Sequence, residues 1–221
     1  MNARSSLHMR RRSTHDLLDW MLAPLREHRR AWLGMNLLYF GAVVVGMLAV
    51  LAYPSMQQNL LRGVGQAFSP TGTLGPLVQA YTEGRIGMAM LLTFLVNLVL
   101  GSIAVLSLPS LVIPFAGILM GVVRAWLWGV LFSPFAGGWD LGLLPHALTV
   151  LLEGEAYVVA MLGVWLWWWP VLRAPGRRWQ RWWEGLVLQG RIYSVVALLL
   201  AIAAIYEGLE VILLLPRLAA A

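Results

Sequence analysis

Ala31 to Tyr53 reads AWLGMNLLYFGAVVVGMLAVLAY, an apolar run without one charged side chain and with Trp32 and Tyr53 at its two ends. About 20 residues of helix cross a ~30 Å hydrocarbon core, and aromatic rings favour the two interfaces of that core, so this run predicts a transmembrane helix. Working outward, four further apolar runs of spanning length follow: Ile86 to Leu108, Leu111 to Phe132, Leu143 to Trp169 and Ile192 to Leu215. The whole 221-residue chain is 60% hydrophobic and 12% charged, with a mean hydropathy of +0.74. Soluble domains carry about 25% charged residues, so the composition excludes that class. The expected fold is all-α: one polytopic membrane bundle over residues 31–221, with about five spans and amphipathic interfacial helices, preceded by a basic segment over residues 1–30.

The polar segments between spans set the topology. Met1 to Arg30 is basic, its front part through Arg12 reads as disordered, and no small-residue cleavage site marks it as a signal peptide. In THDLLDWMLAPLREHRR, Leu17, Leu18, Met21, Leu22 and Leu25 recur at helical spacing behind Thr14, a candidate N-cap. That predicts an amphipathic helix on anionic headgroups, kinked at Pro24. Pro54 to Arg85 is too polar to span; a short helix near Ser55 to Phe68 and then an irregular segment are expected. Ser133 to Leu141 is a Gly/Pro loop. Arg173 to Gly190 is an interfacial Arg/Trp segment, with Trp179, Trp182 and Trp183 dipping into headgroups. With the N-terminus inside, Arg4, Arg10, Arg11, Arg12, Arg26, Arg29, Arg30, Arg173, Arg177, Arg178, Arg181 and Arg191 fall on the cytoplasmic side. Only Arg62, Arg85 and Arg217 fall outside. Twelve against three is a positive-inside bias, and five spans then leave the C-terminus external, in a bacterial or archaeal inner membrane.

Charges within spans cost roughly 2.5–3.5 kcal/mol each on insertion scales, so they must face the bundle and find partners. The candidates are Asn97, Arg124, His146, Glu153, Glu155, Glu207 and Glu210. Arg124, Glu153 and Glu207 lie about eleven, ten and eight residues from the outer ends of their spans, which sets all three roughly 12–17 Å deep. Arg124 is therefore expected to meet Glu153 or Glu207. Gly117, Gly121 and Arg124 share one helical face, a small-residue seam that presses the guanidinium against a neighbour. Asn97 with Gly101 predicts an interhelical hydrogen bond in a second seam. His146 and Glu153 share a face with Thr149 between them, whereas Glu153 and Glu155 point about 160° apart. One Arg cannot neutralise four carboxylates, so some of these are protonated, hydrated or cation-bound.

Several chemistries are excluded or weak. The chain has no cysteine, hence no disulfide, thiolate metal site or cysteine nucleophile. It has no HExxH, GxSxG, Walker A or dinucleotide-binding glycine motif, and no metal or cofactor is expected. An intramembrane hydrolase built on His146 and Glu153 is the least favoured reading. Nucleic acid is excluded as a partner, because the net charge of +6 flanks apolar spans and has no soluble domain to present it.

The stretch from Phe94 to Leu166, with the end of the last span, resembles the stage II sporulation protein M family of integral membrane proteins. The residues that carry this are Asn97 with Gly101, Gly117 with Gly121, Pro145-His146 opening the fourth span, the following EGEAYVVAMLG, and AAIYEGLE with Ala203, Ala204 and Glu207. The chain departs from the family pattern at Ala147, where a glycine is usual, at Glu153, which follows His146 by about two helical turns instead of one, and at Arg124. The resemblance implies a five-span protein that assembles with other proteins and possesses no settled enzymatic activity.

Two functions follow as expectations. The first is a non-enzymatic membrane scaffold with protein partners, including a possible homo-oligomer. The second is a transporter or channel component that moves a proton, cation or small solute past the buried carboxylates. A scaffold satisfies its carboxylates internally, whereas a transporter opens a path to them.

Overall fold

The computed structural model describes residues 14–135, 143–174 and 176–219. Expectations for Met1 to Arg12 and for most of the 133–141 loop lie outside these residues. The described chain is an all-α bundle without strands. Four helices are long and apolar enough to cross a membrane: α2 (Arg29–Ala52), α5 (Ile86–Ser110), α7 (Leu143–Arg173, its spanning part Pro145–Arg173) and α8 (Arg178–Leu218). Between α5 and α7 runs the shorter apolar helix α6 (Ala116–Leu131). Amphipathic helix α1 (Thr14–Glu27) precedes them, and α3 (Pro54–Ala67) and α4 (Gly75–Thr82) connect α2 to α5.

Three boundaries differ from those read off the sequence, each for a local reason. The third apolar run does not begin as helix at Leu111. Pro114 lacks a backbone donor and Phe115 sits at φ 60°, so the turn ends there and α6 starts at Ala116. The Arg/Trp segment is not separate from the last span, because Arg178 opens a helix that continues unbroken into it. The stretch expected to be irregular contains α4, which starts on Gly75-Pro76 and buries Leu77 and Ala80.

Helix α7 is the axis of the bundle. From Ala156 to Leu162 every side chain is buried, around the whole helix instead of along one stripe. It packs along α8 on one side and touches α2, α5 and α6 on the others. The outer helices instead leave Leu37, Leu48, Leu51, Leu119, Leu198 and Ile205 exposed, an apolar exterior suited to hydrocarbon. Glycine brings helices together at two crossings. A Cβ on Gly117 would collide with the Leu106 carbonyl of α5, and one on Gly121 with Met161 of α7, so the expected seam is formed. A second crossing joins α2 to α6, where Gly46 meets Trp126 backbone and Gly129 meets Val43 backbone. Helix α1 lies against the bundle through Met21, Leu22 and Leu25 while Leu17, Leu18 and Trp20 stay exposed. Arg191 of α8 holds it, with Nε donating to the Trp20 carbonyl at 2.8 Å and the guanidinium over the Trp20 ring.

Candidate functional site: a polar cavity beside the central helix

Glu153 and Tyr157 are one helical turn apart on α7, so they share a face, and that face meets α5 at Asn97. Asn97 stands at the start of Val96–Ser107, where α5 widens into π-helical turns. Such turns shift the side-chain register and recur at functional sites. Asn97 Nδ2 donates to Glu153 Oε1. The Tyr157 hydroxyl donates to Asn97 Oδ1 at 3.0 Å and accepts from Arg124 Nη2 at 2.8 Å. Arg124, Tyr157, Asn97 and Glu153 thus form one hydrogen-bonded chain across α6, α7 and α5.

The expected contact of Arg124 with Glu153 or Glu207 is not made: Arg124 reaches Glu153 only through Tyr157 and Asn97. Among the described residues Arg124 makes no ion pair within 4.0 Å. Its guanidinium carbon lies over the Tyr157 ring, 4.4 Å from the centroid, and 5.5 Å from that of Trp128. Gly101 makes room for this stack, since a Cβ there would come within 2.8 Å of the Tyr157 hydroxyl and 3.3 Å of Arg124 Nη2. The seam read from Asn97 and Gly101 therefore serves a purpose the spacing did not reveal.

Asn97, Arg124 and Glu153 border a cavity of about 690 Å³. Its floor contains Asn97, Arg124, Glu153 and Glu207, with His146 and Thr149 to one side. Its roof is formed by α3 and α4 through Leu60, Val64, Phe68, Leu74, Leu77 and Tyr81. This explains why the polar connection between the first two spans carries an apolar face: α3 and α4 cover the cavity. Tyr81 reaches down from the roof to Thr93 Oγ1 at 2.8 Å and to the Glu207 carboxylate. Burial, reinforced by the negative charge of Glu207, pushes the Tyr81 phenol well above its usual range, so it remains a donor.

The other two carboxylates are tied up elsewhere. Glu155 faces away from Glu153, as the angular spacing required, and its Oε1 accepts from Trp32 Nε1 of α2 at 2.6 Å. Glu210, 2% exposed, accepts from Thr149 Oγ1 at 2.9 Å and lies 3.3 Å from His146 Nδ1. His146 and Thr149 thus clamp the start of α7 to the end of α8, and the Tyr206 hydroxyl adds a bond to the Pro145 carbonyl at 3.1 Å. Glu210 also opens the second π-helical stretch, Glu210–Leu214.

On the far side of Gly101 the bundle is closed by a second polar cluster that sequence reasoning missed. Tyr193 of α8 bonds to Ser102 at 3.1 Å and Ser107 at 2.7 Å, and Gln189 Nε2 donates to Ser107 at 3.1 Å. Trp168 Nε1 donates to the Ser110 carbonyl at 2.7 Å, and the Ser110 hydroxyl accepts from the Gly117 backbone. Tyr157, the centre of the first chain, was equally overlooked; its position one turn after Glu153 was the available signal.

Among the described residues no group of three or more His, Cys, Asp or Glu is placed to hold a metal ion. Comparison of the chain with protein-family models, with curated proteins and with solved structures finds no match.

Proposed function

We propose that this chain is a transporter or channel component of a bacterial or archaeal inner membrane, which admits a small solute to the cavity under α3 and α4. It has five spans in this reading, α6 being the short one, with a cytoplasmic N-terminus and an external C-terminus as the Arg distribution favours. The single observation that carries the reading is the cavity reaching Glu153 and Glu207, two carboxylates placed deep in apolar helices. Glu155 turns away to Trp32 and Glu210 lies against His146 and Thr149, whereas Glu153 and Glu207, although bonded to Asn97 and Tyr81, still border open space. A polar chain from Glu153 to Arg124, followed beyond Gly101 by the Ser102–Tyr193–Ser107–Gln189 cluster, supplies hydrogen-bonding groups along much of the bundle axis.

The scaffold reading keeps one supporting observation: α1 and α3 present exposed apolar side chains, including Leu17, Leu18 and Leu61, outside the bundle. It also fits the resemblance to the stage II sporulation protein M family. The two readings separate by chemical accessibility. Because the chain contains no cysteine, single variants Val96→Cys and Leu127→Cys in the cavity wall report cleanly, with Ala160→Cys in the closed core as control. A charged, membrane-impermeant thiol reagent applied from outside to intact cells is expected to modify the first two and spare the third. If all three are spared, the cavity is dry from that side and the transport reading fails.

A further inference from the structure

The cavity floor has an uneven chemistry. It presents two carboxyl groups, Glu153 and Glu207, against one guanidinium, and Arg124 bonds through Nη2 to the Tyr157 hydroxyl and lies near two aromatic rings, its buried Nε having no hydrogen-bond partner. Glu153 is 4% exposed, with one oxygen held by Asn97 and its carboxylate bordering the cavity. The floor therefore sets two carboxyl groups against a single guanidinium. The walls are of the opposite kind: Phe68, Trp128 and Phe132 supply aromatic surface, and the rest is mainly aliphatic.

Three ligand classes can be weighed against this. An anion would have to approach two carboxyl groups with a single Arg, stacked against Tyr157, to attract it. A hard inorganic cation wants six or more oxygen ligands or its own waters, which apolar walls do not replace. A cation with an apolar body satisfies both surfaces, since carboxylates neutralise the head while aromatic faces attract it and bury the body. We infer that the cavity binds a small organic monocation, its charged head at Glu153 and Glu207 and its apolar body against Phe68, Trp128 and Phe132. This rests on the transport reading of the same site and names its class of solute.

Ethidium, an aromatic monocation, is a direct reporter of such a site. Its binding to the full chain in lipid nanodiscs, followed by fluorescence anisotropy, is expected to saturate and to be displaced by tetraphenylphosphonium. Tetraphenylborate, of similar shape and opposite charge, is expected not to displace it. Glu153→Gln and Glu207→Gln should each weaken binding at least tenfold. Leu60→Trp, which fills the roof without altering charge, should do the same and keeps the test decisive where a floor variant fails to fold. Absence of saturable binding, indifference to all three substitutions, or equal displacement by tetraphenylborate would overturn the inference. Flux in proteoliposomes separates the two proposals. Saturable ethidium binding without movement of ethidium leaves the ligand class standing and sinks transport. Movement of another solute without ethidium binding does the reverse.

Discussion

Under α3 and α4, the buried polar residues Glu153, Glu207 and Arg124 border open space; beyond Gly101, Ser102, Ser107, Gln189 and Tyr193 bond to one another. Both clusters are built from the same helices, α5, α7 and α8, and both hold a tyrosine hydroxyl at their centre. The difference lies in which groups surround them. At the open end the neighbours are ionisable and the covering elements are short amphipathic helices. At the closed end the neighbours are neutral, small hydroxyls and one amide, and the cover is packed tryptophan, including Trp167 and Trp168. Neutral groups can be buried once each has one or two partners, whereas a carboxylate in a protein interior requires a counter-charge, a proton or water. A membrane bundle can thus keep one polar end sealed and cheap to bury while holding the other available to a ligand.

The comparison is most severely tested at the seam that fixes α6 between the two ends. Gly117→Leu drives a side chain into the Leu106 carbonyl and the Ser110 hydroxyl, and overpacking of this kind costs typically 1–3 kcal/mol, here near the upper end at about 3 kcal/mol. Thermal unfolding in detergent should show it, with loss of monodisperse protein; a stable variant would mean that α6 is not held as described. Next in size is the closed end itself. Tyr193→Phe leaves the fully buried Ser102 hydroxyl and Ser107 without their shared partner, an expected loss of about 2 kcal/mol by the same measurement.

The same substitution at the open end is the sharper half of the pair. Tyr157→Phe removes a hydroxyl bonded to Arg124 and Asn97, but those two partners border the cavity, where solvent can reach them, so a loss nearer to about 1 kcal/mol is expected. Equal losses for Tyr157→Phe and Tyr193→Phe would show both ends equally dry and erase the distinction. The smallest effect belongs to the roof. Gly63 lies within α3 with nothing near its missing Cβ, so Gly63→Ala should stabilise by about 0.5–1 kcal/mol through helix propensity alone. Destabilisation instead would indicate that α3 must unwind or move in the resting protein.

Much of the architecture was legible in the chain because it depends on one-dimensional quantities. Apolar length marks a helix that can span, and an uncharged run such as Ala31 to Tyr53 permits no other reading. Spacing along one helix gives faces, which is why Gly117, Gly121 and the opposed directions of Glu153 and Glu155 were found in place. Depth along a span brought Arg124, Glu153 and Glu207 to one cavity. The boundaries that shifted were those where a single backbone angle decides, as at Phe115, or where amphipathic turns join a span without a break, as at Arg178.

Rotation of one helix against another has no such signature. It is set by which side chains interlock, and those come from segments far apart in the chain. Glu210 with His146 and Thr149, the Gly46–Gly129 crossing, and the insertion of Tyr157 between Arg124 and Asn97 are all of this kind. The sequence by itself determined that this is a helical bundle with apolar helices long enough to span, and that charged groups lie within them. Only the tertiary structure decided which of those charges are enclosed and which face a cavity, because periodicity orients a residue on its own helix and packing alone chooses what stands opposite.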